Sequence, residues 1–387
     1  MRIILDRALF DVRSDAEAMD LLHLLGTAVR DRHDHALLTN PIYAPGDDNG
    51  EIDIWLSKHV YEANAFRGLL IKGIQVAAGP RSQPDRDKAT LQTWHLPGPI
   101  AIRVERRPES DWRRRLLTLA DAAALLREPV HLVLENTRTE PAFLRHLAGP
   151  MDGATLLTLL DQPGRVEMHG GGSGEAKKWI SALTNGGPTP EKWCRMLRAW
   201  VLFDRDAADD DALAPSKGAV ALINACEKVV SDYGVGLSWV CLRRRELESY
   251  VPDSGLRDQA AKNKAFVDQV IAWRKDPTRK MWAWALDLKK GLHGDRNSKW
   301  SAGLSDADVD AVNKREKILE AHMLRTPFSG LSAIEISALS SCLSDIIGKS
   351  LRDTDPAWAS DLPDEYDRGP SDQAPRLSLV KSLLDRM

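Results

Sequence analysis

Three acidic side chains stand directly after runs of apolar residues. Glu135 follows Val130–Leu134 (VHLVL), and Asp204 and Asp206 follow Ala199–Phe203 (AWVLF). Each run has the length and composition of a buried strand. Polar groups at the carboxyl ends of neighbouring parallel strands face one crevice above the sheet, and alternation along an extended chain would place Asp204 and Asp206 on the same side. The spacing therefore predicts that the three carboxylates share a site.

Grouped carboxylates of this kind are the hard oxygen ligands that Mg²⁺ or Mn²⁺ prefers. One or two such ions can activate water and stabilise the leaving oxygen of a phosphodiester. An Asp or Glu after a strand can equally be a helix cap or a turn residue. The combination is more specific than any one of the three acids.

A third charged segment follows the predicted strand Ser238–Leu242. Its acids are Glu246 and Glu248. Its consecutive bases can bind phosphate through forked hydrogen bonds, or can simply form a solvated face. These bases are Arg243, Arg244 and Arg245.

A glycine-rich loop, Gly170–Gly174, precedes a predicted helix that carries Lys177 and Lys178. Backbone N–H groups of such a loop can approach an anion, and the two lysines are candidate nucleic-acid contacts. The sequence contains no GxxxxGK[ST] motif, which excludes a P-loop, and no GxSxG motif, which removes the signature of an esterase nucleophile.

The elements that must position these groups alternate between strand and helix through residues 128–252, which predicts a largely parallel sheet. We expect an α/β protein with three parts: an N-terminal α/β domain (1–127), a central Rossmann-like domain (128–252) and a helical C-terminal region (253–387). The elements predicted outside the centre are a strand at Met1–Leu5, a helix at Ala16–Arg30, a strand at Pro99–Val104, and helices at Trp112–Leu126, Leu256–Arg274, Asp306–Leu324 and Ser332–Ile347.

Composition sets further limits. The net charge is −3, with 53 basic and 56 acidic residues, so nucleic-acid binding must depend on local patches or bound metal. The four cysteines are scattered without a CxxC pair, which favours a reducing compartment. The N-terminal residues are too polar for a signal peptide and no apolar stretch could span a bilayer. We therefore expect a cytoplasmic protein without a membrane segment.

Taken in order, these motifs resemble the TOPRIM domain, and more narrowly that of the OLD-family nucleases and related bacterial anti-phage effectors. The resemblance covers roughly residues 128–252 and rests on the order and context of short motifs. The matching segments are Glu135-Asn136-x-x-Thr139-Glu140, the glycine loop, Leu202-Phe203-Asp204-Arg205-Asp206, and Arg244-Arg245-Glu246-Leu247-Glu248-Ser249-Tyr250-Val251-Pro252.

The resemblance implies an endonuclease that uses Mg²⁺ or Mn²⁺ to cleave DNA or RNA. Glu135 would be general acid/base and metal ligand, Asp204 and Asp206 would act catalytically as metal ligands, and Glu248 would help hold a second ion. Glu140 would be an outer or second ligand. Family members also use a downstream lysine for transition-state charge; Lys289 and Lys290 are the candidates, and Lys290 is taken as the catalytic one.

The sequence departs from the family pattern in two ways. Asn136 stands where Gly is usual, and one extra residue separates Glu135 from Glu140, which leaves open whether Glu140 faces the same crevice. No Walker motif accompanies the domain, so nucleotide control would require a separate ATPase or sensor protein as partner. Homo-oligomerisation is also left open.

Two other functions compete with the nuclease. Asp204-x-Asp206 also resembles the start of a haloacid-dehalogenase-type phosphatase, but Ala208 occupies the position where Thr or Val is usual. The protein could instead be a catalytically silent or partner-activated binding subunit of a defence complex. The intact acids favour the nuclease over the silent subunit.

Overall fold

The computed structural model of the chain describes residues 2–10, 15–30, 36–38, 58, 94–95, 100–137, 140–144, 156, 158, 160–206, 215–234, 237–242, 246–258, 260–286, 288–289, 333–339, 343 and 383. The helix predicted at Asp306–Leu324 lies outside these residues. Among the described residues, no helix is both long and apolar enough to cross a membrane.

The described strands form two sheets. They are β1 (Arg2–Leu5), β2 (Ala36–Leu38), β3 (Trp94–His95), β4 (Ala101–Val104), β5 (Leu116–Leu117), β6 (Val130–Leu134), β7 (Val166–His169), β8 (Ala199–Phe203) and β9 (Ser238–Cys241). The described helices are α1 (Asp15–Arg30), α2 (Leu119–Arg127), α3 (Ser173–Thr184), α4 (Pro190–Leu197), α5 (Lys217–Tyr233), α6 (Asp253–Asp258), α7 (Ala260–Lys275), α8 (Lys280–Ala285) and α9 (Ala333–Leu339).

The first sheet has the order β2-β1-β4-β5, and all its strand pairs are parallel. The second has the order β3-β9-β8-β6-β7; β3 is antiparallel to β9, and the remaining pairs are parallel. The predicted α/β class with a mainly parallel sheet is confirmed. Strand β3 belongs to the predicted domain 1–127 but pairs with the second sheet.

The middle of the second sheet is a layer with a core on each side, which explains why β6, β8 and β9 are buried at consecutive positions. Every residue of β6, β8 and β9 is buried. One face, with Val133 and Val201, packs in the core that contains the buried side chains of α3 and α5. The other face, with Leu132 and Trp200, packs in the core that contains the buried side chains of α7.

The helix predicted at Trp112–Leu126 is wrong over its first half. Residues 112–115 form a turn, Leu116 pairs with Arg103 of β4, and helix α2 begins only at Leu119. Two features mark the change from turn to helix. Arg115 has a left-handed φ of 59°, and the Thr118 side chain caps the helix by accepting a hydrogen bond from the N–H of Asp121.

The helix predicted at Leu256–Arg274 is present as two helices, α6 and α7. The backbone at Asn263 departs from helical geometry (φ −159°, ψ 65°), which marks a kink within α7. The described helices beyond residue 253 agree with the predicted helical character of the C-terminal region.

Candidate metal centre

Three acidic side chains converge at the carboxyl ends of two paired strands. Glu135 directly follows β6 and Asp204 directly follows β8; these strands run parallel, with Leu134 paired to Leu202. Glu140 begins a helical segment, residues 140–144. One carboxylate oxygen from each of the three acids lies within 4.8 Å of the others. The structure therefore brings Glu140 into the crevice despite the extra residue after Glu135.

Each of the three carboxylates is held by a backbone N–H group. Oε2 of Glu135 accepts a hydrogen bond from the N–H of Asp204 at 3.2 Å. Oε2 of Glu140 accepts from the N–H of Asn136 at 2.8 Å, and Oδ1 of Asp204 accepts from the N–H of Leu247 at 3.1 Å. These bonds join three loops, so the acids are positioned by the backbone before any ligand arrives.

The electrostatics of the cluster disfavour three free negative charges. Burial raises the pKa of Glu140 to about 8; the hydrogen bond from Asn136 opposes that shift and the charge of Glu135 adds to it. Burial, followed by the charges of Glu135 and Glu140, raises the pKa of Asp204 well above its ordinary value. A cation between these carboxylates would remove the repulsion and favour their ionised forms, so the donor set fits a hard divalent ion.

Glu246 and Glu248 form a second acidic layer beside the cluster. Glu248 lies in a short 3₁₀ helix, Leu247–Tyr250, whose first N–H group binds Asp204. Lys289 Nζ lies 3.2 Å from Glu246 Oε2 and 3.0 Å from Glu248 Oε1. Burial alone would lower the pKa of Lys289, but the two carboxylates outweigh it and raise that pKa above its ordinary value. The charge of Lys289 is therefore balanced within this layer.

Asp206 does not join the three carboxylates. It has a left-handed φ of 52°, so the chain after β8 does not continue the extended alternation on which the prediction of a shared face depended. The side chain between the two acids, Arg205, is buried, and its Nε donates to the carbonyl of Leu242 at 3.2 Å. Among the described residues, the cluster within 4.8 Å holds Glu135, Glu140 and Asp204, with Asp206 and Glu248 outside it.

Of the predicted nucleic-acid contacts, the structure describes the two lysines but not the three arginines. Lys177 and Lys178 are exposed on α3, and Lys178 pairs with Glu175 of the same helix at 2.6 Å. Arg243, Arg244 and Arg245 lie outside the described residues, as does Lys290. The pairing of Lys289 with Glu246 and Glu248 has no sequence signal beyond its place in an Asp-Leu-Lys-Lys segment.

The glycine loop supports Glu135. The N–H groups of Gly171 and Gly172 lie 3.4 and 3.0 Å from the carbonyl oxygen of Glu135, so these donors hold the acidic loop and are not turned toward an anion. A Cβ atom added at Gly170 would lie 2.5 Å from Cγ2 of Thr137. A side chain at position 170 would therefore force Thr137 or its loop to shift.

Comparison of the chain with protein-family models, curated proteins and solved structures finds no match. The TOPRIM and OLD-family resemblance thus stays a prediction made from motif order.

Proposed function

We propose that the protein is a divalent-metal-dependent endonuclease that cleaves phosphodiester bonds in DNA or RNA. The observation that carries this proposal is the convergence of Glu135, Glu140 and Asp204 within 4.8 Å at the carboxyl ends of neighbouring parallel strands. Their all-oxygen donor set and mutual repulsion suit Mg²⁺ or Mn²⁺.

The proposed roles follow from the contacts of each acid. Asp204 and Glu140, whose pKa values are raised, would lose their protons on metal binding and hold the ion. Glu135 would serve as ligand and as the group that takes or returns a proton at the scissile phosphate. A bound ion would supply water activation and neutralisation of developing negative charge.

The outer acids and the bases have supporting roles in this proposal. Lys289 keeps Glu246 and Glu248 beside the cluster, and Glu248 is the nearest candidate for a second ion, as the TOPRIM resemblance implies. Three further assignments rest on the sequence. They are Asp206 as a metal ligand, Lys290 as the catalytic lysine, and Arg243–Arg245 and Lys177–Lys178 as phosphate contacts. An anti-phage role, a separate ATPase or sensor partner, and a cytoplasmic location also rest on the sequence.

The test is cleavage of plasmid, single-stranded DNA and total tRNA by the full-length protein with Mg²⁺, Mn²⁺ or EDTA. We expect cleavage of at least one substrate that EDTA abolishes. Glu135→Gln removes a cluster charge and should abolish cleavage. Glu227→Gln, at an exposed position of α5, is the matched control and should cleave like the parent protein. Equal cleavage by Glu135→Gln and the parent would overturn the proposal.

A second function, a partner-activated or catalytically silent binding subunit, is favoured by one observation. Only three of the five predicted metal ligands lie in the cluster, because Asp206 and Glu248 are outside it. A site of this kind would need a partner to rearrange it before it cleaves. Mn²⁺ binding that depends on Asp204, without cleavage of any of the three substrates, would favour this second function.

A further inference from the structure

A second group of metal-binding side chains lies on strands β6 and β7, away from the carboxylates. It consists of His131, Glu167 and His169. His131 is paired with Glu167 across the two strands and Val133 with His169, so alternation places the three side chains on one face of the sheet. His131 precedes Glu135 by four residues, or about 13 Å along an extended strand. The two groups are therefore separate.

The distances within this group match one face of a tetrahedral metal site. Nδ1 of His131 lies 3.0 Å from Nε2 of His169. Oε2 of Glu167 lies 3.6 Å from Nδ1 of His131, and Oε1 of Glu167 lies 3.8 Å from Nε2 of His169. Ligands at about 2.0–2.1 Å from a tetrahedral Zn²⁺ are separated by roughly 3.3 Å, so the two nitrogens are already within a few tenths of an ångström of that separation. Glu167 would turn one of its two oxygens toward both nitrogens, and one ligand atom from each of the three residues already lies within 4.8 Å of the others.

The surroundings of His131 supply the outer carboxylate that zinc-binding histidines usually have. Glu128 Oε1 lies 2.8 Å from Nε2 of His131. A hydrogen on Nε2 that is donated to Glu128 leaves the lone pair on Nδ1, the atom that faces His169 and Glu167. The His131 ring is almost fully buried and therefore fixed in orientation.

The group also has a cover and a route to solvent. The ring of Trp179 lies 5.4 Å from the ring of His131 and 5.0 Å from that of His169, measured between centroids. The side chain of Glu167 is 57% exposed, which gives an ion access from one side. Two imidazoles and one carboxylate form a nitrogen-rich donor set that suits a borderline metal better than Mg²⁺ or Mn²⁺.

We propose that His131, His169 and Glu167 form a Zn²⁺ site with one open coordination position, oriented by Glu128 and distinct from the carboxylate centre. The ion would replace the hydrogen shared between the two imidazoles. Among the described strands, β7 is the outermost of its sheet and β6 is its neighbour, so the bound ion would hold β7 to the sheet interior.

The experiment is zinc titration of the full-length protein after EDTA treatment and dialysis, in competition with a chromophoric zinc chelator. We expect one tight site per chain that is absent from Glu167→Ala and His169→Ala. Glu128→Gln should weaken zinc affinity by about 10- to 100-fold, as loss of an outer carboxylate does at other zinc sites. His23→Ala, at an exposed position of α1, is the matched histidine control and should bind zinc like the parent protein.

Two further arms keep the result interpretable. Asp204→Asn should retain the tight site, so its zinc binding separates this proposal from the proposed nuclease centre. If His169→Ala proves misfolded by circular dichroism, the exposed Glu167→Ala decides. Unchanged zinc affinity in a folded Glu167→Ala, or loss of the tight site in Asp204→Asn, would overturn the proposal and leave His131 and His169 as a hydrogen-bonded pair.

Discussion

Asp204 connects the sheet to the 3₁₀ helix, and its two roles can be separated by substitution. Burial and the charges of Glu135 and Glu140 disfavour the ionised form of Asp204, while its Oδ1 accepts a hydrogen bond from the N–H of Leu247. Asn retains an oxygen acceptor but removes the charge, whereas Ala removes both.

We therefore expect Asp204→Asn to be at least as stable as the parent protein without metal, and to lose Mn²⁺ binding and cleavage. Asp204→Ala should be less stable than Asp204→Asn by about 1–3 kcal/mol, because the N–H of Leu247 is left without its acceptor. Chemical denaturation in EDTA and Mn²⁺ titration measure the two effects. An Asn variant less stable than the Ala variant would contradict this account.

Lys289 presents the opposite case, in which charges attract. Its removal would take a cation away from two carboxylates that are both largely buried, Glu246 and Glu248. We expect Lys289→Met to lower the free energy of unfolding by on the order of 2 kcal/mol. The control is Lys264→Met, which removes an exposed lysine paired with Asp268 along α7 and should change stability little. Denaturant unfolding measures the two variants. An equal decrease in the free energy of unfolding would show that the pairing of Lys289 stabilises the protein no more than an exposed ion pair does.

At the scale of elements, the contact between the glycine loop and the acidic loop positions Glu135. A methyl group at Gly170 would overlap Thr137, whereas one at Gly174 would meet no atom within 4 Å. We expect Gly170→Ala to displace the acidic loop and weaken Mn²⁺ binding several-fold, while the fold is kept. Gly174→Ala, near the start of α3, should leave binding unchanged and stability equal or slightly higher. Isothermal titration with Mn²⁺ compares the pair; equal affinities would indicate that the two loops adjust independently.

The elements that sequence predicted best are those whose signal is local. Strands β6 and β8 have the predicted bounds because each is a short run that is apolar except at His131, and both are buried on two sides. Helix α4 is not among the predicted elements, although Thr189 caps it and Pro190 begins it. Its signals are a cap and a proline over only eight residues, which is short for a helix prediction. The turn at Arg115 depends on pairing with β4, which no local pattern reveals.

The candidate centre shows the same division. The positions of Glu135 and Asp204 followed from strand ends, which a single sequence discloses. The left-handed backbone at Asp206 and the pairing of Lys289 with Glu246 depend on backbone geometry and on contacts between distant segments. Such contacts are set by tertiary packing, and no periodic pattern in the sequence indicates them.

At the scale of the whole molecule, the buried acids link stability to pH. Glu140 has an ordinary pKa of 4.5 and a pKa of about 8 in the folded protein. Between these values the folded state binds more protons than the unfolded state, so stability present at low pH is lost as pH rises through about 8. Asp204, with a pKa also raised, acts in the same direction.

The effect of the acids on stability is best measured above pH 6.5, the ordinary pKa of histidine. Burial lowers the pKa of His169, so below pH 6.5 the titration of His169 makes the protein more stable as pH rises, which opposes the effect of the acids. From pH about 7 to about 8 we expect the free energy of unfolding of the metal-free protein to fall. Saturating Mn²⁺ should reduce this fall, since the ion binds the ionised carboxylates. Urea denaturation across the window, with Mn²⁺ or EDTA, measures both effects.

The control for the pH dependence is Glu140→Gln, whose amide does not titrate and still offers an oxygen to the N–H of Asn136. This variant should be more stable than the parent protein at the upper end of the window without metal, and its stability should depend less on pH. It should also bind Mn²⁺ more weakly, because one ligand charge is lost. If the free energy of unfolding fell as steeply with pH in Glu140→Gln as in the parent, another group of the cluster would hold the proton. The electrostatic argument for Glu140 as a metal ligand would then fail.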